Sequence, residues 1–185
     1  GPSTRLLASA PHRLMFFVGA SNLLLAMLWW AAWLVAARWQ VFAMPQPSPY
    51  AGWLHAYVMQ YQMLPSFIFG FLLTVFPKWT AQPEIARSRY LPVGMGLFGG
   101  QVATLLGALG WPHGVAAGVL LTLLGWVAGL SALAPLLWRE SGTTWHARSC
   151  LAALVVGFAG LLAWTVFVLG GSPLWMFASI KIGSF

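Results

Sequence analysis

The chain has 185 residues, of which 60% are hydrophobic and only 6% are charged, a composition that excludes a water-soluble globular domain. Its formal net charge of +7 comes from nine Lys and Arg against two acids. The basic residues stand singly between apolar runs and form no patch, so we predict the lipid bilayer as the environment and no nucleic-acid partner. The single cysteine, Cys150, excludes an intrachain disulfide.

Five uncharged apolar runs are each long enough to cross a bilayer, since about 20 helical residues span about 30 Å of hydrocarbon. A sixth run begins near Ser172 and is still continuing at Phe185. The sequence therefore predicts an all-α fold: a polytopic transmembrane helix bundle of five complete spans plus the start of a sixth, forming one domain over residues 1–185. The spans are 14–37, 53–76, 91–111, 115–138, 150–170 and 172–185.

The orientation of the bundle is predicted from the loops, because Lys and Arg are retained on the cytoplasmic side. Only Arg38 falls on one side of the alternating topology. The other side carries Arg5, Arg13, Lys78, Arg87, Arg89, Arg139 and Arg148. We therefore expect the N-terminus to be cytoplasmic.

Glycine recurs at helical spacing in the third and fourth spans. Gly96 and Gly100 are four residues apart, and the fourth span carries Gly114, Gly118, Gly125 and Gly129. Helices in lipid associate through small residues that let backbones approach closely, so this pattern predicts packing faces. The alternative is that membrane helices are simply rich in glycine.

Polar residues are densest in the second span, where His55, Met59, Gln62 and Ser66 are predicted to share one helical face. Histidine and methionine both ligate haem iron and copper, so this face offers two donors. The alternative is that these side chains hydrogen-bond to neighbouring helices. Pro65 predicts a kink in the same span.

The four histidines separate by topology. His12 and His146 are expected at one end of the bundle, and His55 and His113 at the other. A haem held by two histidines needs both at similar depth, so a pair from one end is easier to form than a mixed pair. His12 is followed by Arg13, a combination suited to a lipid phosphate or a haem propionate.

Lys181 lies well inside the sixth run, where an ammonium group is costly unless it meets protein or water. We expect it to face the bundle interior and to line a polar site or proton path. The alternative is that the chain frays there. No Walker loop, Ser-His-Asp set or Cys-x-x-Cys pair is present, so hydrolytic and nucleotide chemistry are unsupported and no enzymatic reaction is assigned.

Three segments of the first 80 residues resemble the NnrS family. They are Ala10 to Phe17 (APHRLMFF), Leu54 to Met59 (LHAYVM) and Gly70 to Thr80 (GFLLTVFPKWT). The family has His-Arg before an aromatic first helix, Trp-His-Ala-His-Glu-Met opening the second, and Gly-Phe-Leu-Leu-Thr-x-x-Pro-x-Trp-Thr closing it. Tyr57 and Val58 stand where the family usually has its second histidine and a glutamate.

The resemblance implies a multi-pass protein of the bacterial inner (cytoplasmic) membrane that contains haem, copper or both and takes part in nitric oxide metabolism. The chain would be the N-terminal half of such a protein or a shortened member. By this resemblance, His12 and His55 are the candidate metal ligands. The candidate cofactor-binding residues are His12, Arg13, His55 and Met59.

The leading hypothesis is therefore an NnrS-like, haem- or metal-binding membrane protein in nitric oxide or redox stress physiology. The alternative is a non-catalytic structural subunit that packs through its glycine and aromatic faces against a larger membrane complex. A third possibility is half of a transporter, although no internal repeat supports it. In the first two cases we expect other membrane helices or subunits as partners.

Overall fold

The structure is a computed structural model that describes residues 4–139, 142 and 145–184, with side chains from residue 6 onward. The Arg5 side chain and Phe185, which entered the predictions above, lie outside this description, as does Glu140. The described elements are helical: α1 Thr4–Leu7, α2 Pro11–Trp39, α3 Ala51–Tyr57, the π-helical turn Val58–Met63, α4 Leu64–Trp79, α5 Arg87–Ala108, α6 Gly114–Trp138, α7 Trp145–Val168 and α8 Pro173–Gly183.

Five helices are long and apolar enough to cross a membrane, which confirms the predicted all-α polytopic bundle. The α3 helix, the π-helical turn and α4 are continuous and form the second of them, Ala51–Trp79. The third predicted run reached Trp111, but α5 ends at Ala108 because Gly110 adopts a left-handed φ of 120°. The sixth helix, α8, has only 11 residues. The cytoplasmic location of the N-terminus stays a prediction.

Helix α2 lies antiparallel to the second span. Met15, near the start of α2, packs against Gly70 of α4. Further along α2, Asn22 contacts Ser66 of α4, and Trp30 stacks on His55 of α3. We therefore call the two ends of the bundle the His12 end and the His55 end.

Helices α5 and α6 pack antiparallel through their glycines, as the sequence predicted. A Cβ atom added to Gly96 would meet the backbone of Gly125, and one added to Gly100 would lie 3.0 Å from the Gly118 carbonyl oxygen. Gly107 and Gly114 face each other in the same way. Since helix backbones approach this closely only without side chains between them, glycine sets the spacing of this pair.

The π-helical turn lies directly before Pro65, the residue at which a kink was predicted. Proline has no N–H to donate to the preceding turn, and a π-helical turn is a usual cause of bending. The carbonyl of Tyr61, four residues before Pro65, instead accepts a hydrogen bond from Trp126 Nε1 of α6 at 2.9 Å. The irregular turn therefore ties the second span to the fourth.

Helix α8 packs against α7 and against the middle of the second span. The Tyr61 hydroxyl donates to the Ser179 carbonyl oxygen at 2.6 Å, and Met176 is fully buried. The side chain of Lys181 is exposed, so the prediction that it faces the bundle interior is wrong. The polar group that α8 turns inward is Ser179, whose hydroxyl is buried.

Candidate functional site

His55 lies in the first part of the second span and is held by aromatic stacking. Its ring is parallel to that of Trp30 on α2, with a centroid distance of 4.3 Å and an interplanar angle of 5°. Trp30 in turn stacks on Trp33 at 5.4 Å and 3°. Offset stacking of this kind fixes ring orientation and adds to apolar burial. The stacked rings of Trp30 and Trp33 therefore hold the imidazole in a fixed orientation from one face.

The two nitrogens of His55 are in different surroundings. Its Nδ1 atom is completely buried and has no hydrogen-bond partner among the described residues. This leaves Nε2 as the nitrogen that can meet a ligand. A ligating histidine usually donates a hydrogen bond through its other nitrogen, and here stacking on Trp30 supplies the orientation that such a bond would give.

Further aromatic rings surround this end of the bundle. Tyr50 meets Trp33 and Trp53 edge-on, both at a centroid distance of 6.0 Å. Trp53 contacts Phe177 of α8 at 5.9 Å. These rings extend the apolar surroundings of His55 from α2 to α8, a setting that limits access of water.

The predicted polar face of the second span is divided by the π-helical turn. Gln62 and Ser66 are fully buried, whereas His55 and Met59 are only half-buried. In a π-helix residues five apart align, and Gln62 Nε2 bonds to the hydroxyl of Tyr57, five residues earlier, at 3.2 Å. The buried polar face is therefore Tyr57, Gln62 and Ser66.

Gln62 is the centre of a buried hydrogen-bond network among three helices. Its Nε2 atom lies 3.0 Å from the side-chain oxygens of both Thr104 on α5 and Thr122 on α6. Each threonine donates its own proton to a carbonyl of its helix, so each hydroxyl oxygen can only accept from Gln62. Because two of the three oxygens near this end of the Gln62 amide can only accept, they favour the nitrogen there.

A second part of the network joins α2 to α5. Gln101 Nε2 donates to the backbone carbonyl of Asn22, and Asn22 Nδ2 donates to the Leu97 carbonyl at 3.3 Å. Asn22 Nδ2 also lies 3.5 Å from Ser66 Oγ, whose proton goes to the Gln62 carbonyl. Both amides are again fixed in orientation by partners that can only accept.

Three amide oxygens of the network, Asn22 Oδ1, Gln62 Oε1 and Gln101 Oε1, are buried without a hydrogen-bond partner in the part of the chain that the structure describes. Rotating the Asn22 or Gln101 amide by 180° would place its oxygen against an acceptor, whereas a rotated Gln62 oxygen could accept only from the Tyr57 hydroxyl and would lose both threonine contacts. An unpaired buried carbonyl costs about 1–3 kcal/mol. The network therefore joins four helix segments and retains the capacity to accept three more hydrogen bonds.

His12 lies in a cleft of about 110 Å³ at the opposite end of the bundle. Its Nδ1 atom is buried and has no hydrogen-bond partner within the described ranges, and its ring meets Phe16 edge-on at 6.4 Å. Arg13 is exposed, and its guanidinium donates to Ser9 Oγ at 3.3 Å. The cleft is lined by Ala10, Pro11, His12, Leu73, Thr74, Pro77, Lys78, Glu84 and Ile85.

The structure does not bring His12 and His55 together. His12 and Trp30, on which His55 stacks, lie about 27 Å apart along α2 at about 1.5 Å per residue. His146 is at the His12 end, since its ring meets that of Trp79 at 4.6 Å. His113 is exposed just before α6. No single ion or macrocycle can therefore be held by His12 and His55 jointly.

The sequence reasoning placed Gln62 and Ser66 on a polar face, but it named neither Asn22 nor Gln101 and treated Tyr57 only as a departure from the family pattern. The residue types themselves were the signal from which these side chains could have been found. Asn22 is the only asparagine in the chain, and Gln101 is the only amide of the third apolar run. Polar side chains are costly in hydrocarbon, so each of these residues indicated a buried partner.

The NnrS family model matches residues 6–185. The chain belongs to the NnrS family. A search of curated proteins and a search of solved structures gave no match. The family match covers nearly all of the chain and so extends well beyond the segments on which the resemblance was based.

We tested whether the residues of this NnrS chain fit the haem and copper that the family suggests. Among the described residues, no group of three or more His, Cys, Asp or Glu could hold a metal ion. A copper site built wholly by this chain's described residues therefore does not fit. Haem ligation by one histidine does fit, because His12 and His55 each bury Nδ1 and leave Nε2 for a ligand.

Proposed function

We propose that this NnrS-family chain is a haem- or metal-binding protein of the bacterial inner membrane that acts in nitric oxide or redox stress physiology. His55 and His12 would serve two separate sites, one at each end of the bundle. The observation that carries the proposal is the parallel stack of His55 on Trp30, which holds the imidazole while its Nδ1 is buried. Bound haem would supply a redox-active iron for a small ligand such as nitric oxide.

The residues of this chain would bind, orient and shield such a group. At the His55 end, Trp30 holds the imidazole plane, and the half-buried Met59 offers a thioether a few residues along the same helix. The aromatic rings of Tyr50 and Trp53 limit water there. At the His12 end, the Arg13 guanidinium is exposed and suited to a propionate or a lipid phosphate.

The remaining ligands and the other residues that enclose each site would come from other membrane helices or subunits.

A purely structural subunit that packs through its glycines is the less favoured alternative. Most glycines of α5 and α6 pack inside this chain, because Gly96, Gly100 and Gly107 meet Gly125, Gly118 and Gly114 across the pair and Gly129 meets Phe69 of α4, so this glycine face is already occupied.

The absorption spectrum and metal content of the purified protein test the proposal. We expect a Soret band that is reduced in His55→Ala by the share that the His55 site contributes, because the stacked imidazole is the ligand of that site. His113→Ala is the matched control, since this exposed histidine lies at the same end by topology and its loss should leave the band unchanged.

Two outcomes would contradict the proposal. One is colourless, metal-free protein recovered from cells with sufficient haem and copper. The other is a Soret band that is equally strong in wild type and in His55→Ala.

A further inference from the structure

Lys181 lies at the level of the middle of the second span. The carbonyl of Ser179, two residues before it, accepts a hydrogen bond from Tyr61, and Ile182, one residue after it, packs near Gly160 of α7. Tyr61 is about 15 Å from the start of the second span at about 1.5 Å per residue, and the hydrocarbon layer is about 30 Å thick. Two independent helices therefore place the lysine close to the midplane.

The side chain of Lys181 faces away from the bundle. It is exposed, whereas Met176 and Ser179 on the opposite side of α8 are fully buried. Lys181 also lies about 12 Å from the start of α8, a distance that a four-carbon stem does not cover to reach the headgroups. An ammonium at this position in lipid would have no partner.

The exposed face of α8 has the pattern of a helix contact. Leu174 is 74% exposed and Phe177 is 57% exposed, and with Lys181 they recur at spacings of three and four residues. This spacing places the three side chains in one stripe along the helix. An apolar stripe that ends in a lysine fits a second helix carrying an opposite charge at the same depth.

A second copy of this chain cannot supply that charge. The sequence contains only two acidic residues. Glu84 lies in the connection between α4 and α5 at the His12 end, and Glu140 comes in the sequence just after α6, which ends at Trp138. Neither belongs to the central part of a span.

We propose that the Leu174, Phe177 and Lys181 stripe of α8 binds a transmembrane helix from outside these 185 residues that carries an Asp or Glu near its centre. The carboxylate pairs with the Lys181 ammonium, and the apolar residues of the stripe pack against the same helix. This inference goes beyond the proposed function and requires neither haem nor metal.

Photo-cross-linking in the native membrane tests the inference. A photoreactive phenylalanine analogue is placed at Phe177 in the full protein, and the same analogue at Leu124 is the control. Leu124 is 63% exposed on α6, two residues from Thr122 of the central network. We expect a discrete protein adduct from position 177 only, mapped by mass spectrometry to a transmembrane peptide with a central Asp or Glu.

Charge variants complete the test. Lys181→Met should lower the adduct yield at least several-fold, Lys181→Arg should keep it, and Lys181→Glu combined with Lys in place of the mapped acid should restore it. The inference is overturned if position 177 gives only lipid adducts or adducts to a second copy of this chain. It is also overturned if the mapped helix lacks a central acid or if Lys181→Met leaves the yield unchanged.

Discussion

The Gly118→Ala variant is expected to be less stable than wild type by about 3 kcal/mol, the upper end of the usual cost of overpacking. A Cβ atom at this position would overlap the Thr104 hydroxyl and lie 2.7 Å from the Gly100 carbonyl oxygen and 2.8 Å from the Thr104 amide nitrogen. Two of these atoms are backbone, so α5 and α6 must separate. Unfolding by a denaturing detergent in mixed micelles measures the change.

Gly99→Ala is the matched control for this interface. Gly99 lies on α5 next to Gly100, but its added Cβ would meet only Leu121 Cδ1 at 3.7 Å. Because alanine favours helix over glycine, we expect this variant to be as stable as wild type or more so. Equal stability losses in the two variants would show that close approach of α5 and α6 is not what Gly118 provides.

Gln62→Glu is expected to destabilise the protein by about 3–5 kcal/mol, the usual cost of an uncompensated buried charge. The residue is fully buried, and its nitrogen faces the oxygens of Thr104 and Thr122, which already donate their protons to backbone carbonyls. A carboxylate there would face the two threonine oxygens as acceptors, with the Tyr57 hydroxyl as its one donor among the described residues. The same detergent titration measures this loss.

Gln62→Leu separates the effect of charge from that of shape. It removes the Nε2 contacts to Tyr57, Thr104 and Thr122 but also the unpaired Oε1, and both threonines keep their backbone bonds. We expect the free energy of unfolding to fall by about 1 kcal/mol, since the cost of losing the donor is nearly balanced by the gain from losing the unsatisfied acceptor. If Gln62→Glu is as stable as Gln62→Leu, then the site is not a dry network of hydrogen bonds.

The fold was largely predictable because lipid imposes a simple rule on the sequence. Long uncharged runs and glycines at helical spacing are visible locally, so the helices and their glycine packing faces were predicted, whereas the pairing of Gly100 with Gly118 comes from the structure. The end of α5 was misplaced because Gly110 terminates the helix within an apolar stretch, where hydropathy alone gives no signal.

The polar face of the second span was predicted in the wrong register. The prediction used regular α-helical spacing, which aligns His55 with Met59 and Gln62. The π-helical turn before Pro65 changes the repeat and aligns Tyr57 with Gln62. Proline signalled an irregularity, but the sequence does not specify how the backbone accommodates it.

The partners of the buried amides were not predictable from one sequence. Asn22 and Gln101 are 79 positions apart and meet only because α2 and α5 pack together in one particular register.

Lys181 was expected to face the bundle interior because an ammonium group is costly in lipid. The structure shows that Tyr61 takes the Ser179 carbonyl, which fixes the rotation of α8 and turns the lysine outward.

The central claim is that His12 and His55 serve two independent sites. Haem and copper per chain, measured for His12→Ala, His55→Ala and the double variant, test it most directly. We predict that each single variant loses a distinct part of the bound cofactor and that the double variant loses the sum. Loss of the whole cofactor content in either single variant, or no loss in both, would contradict the claim.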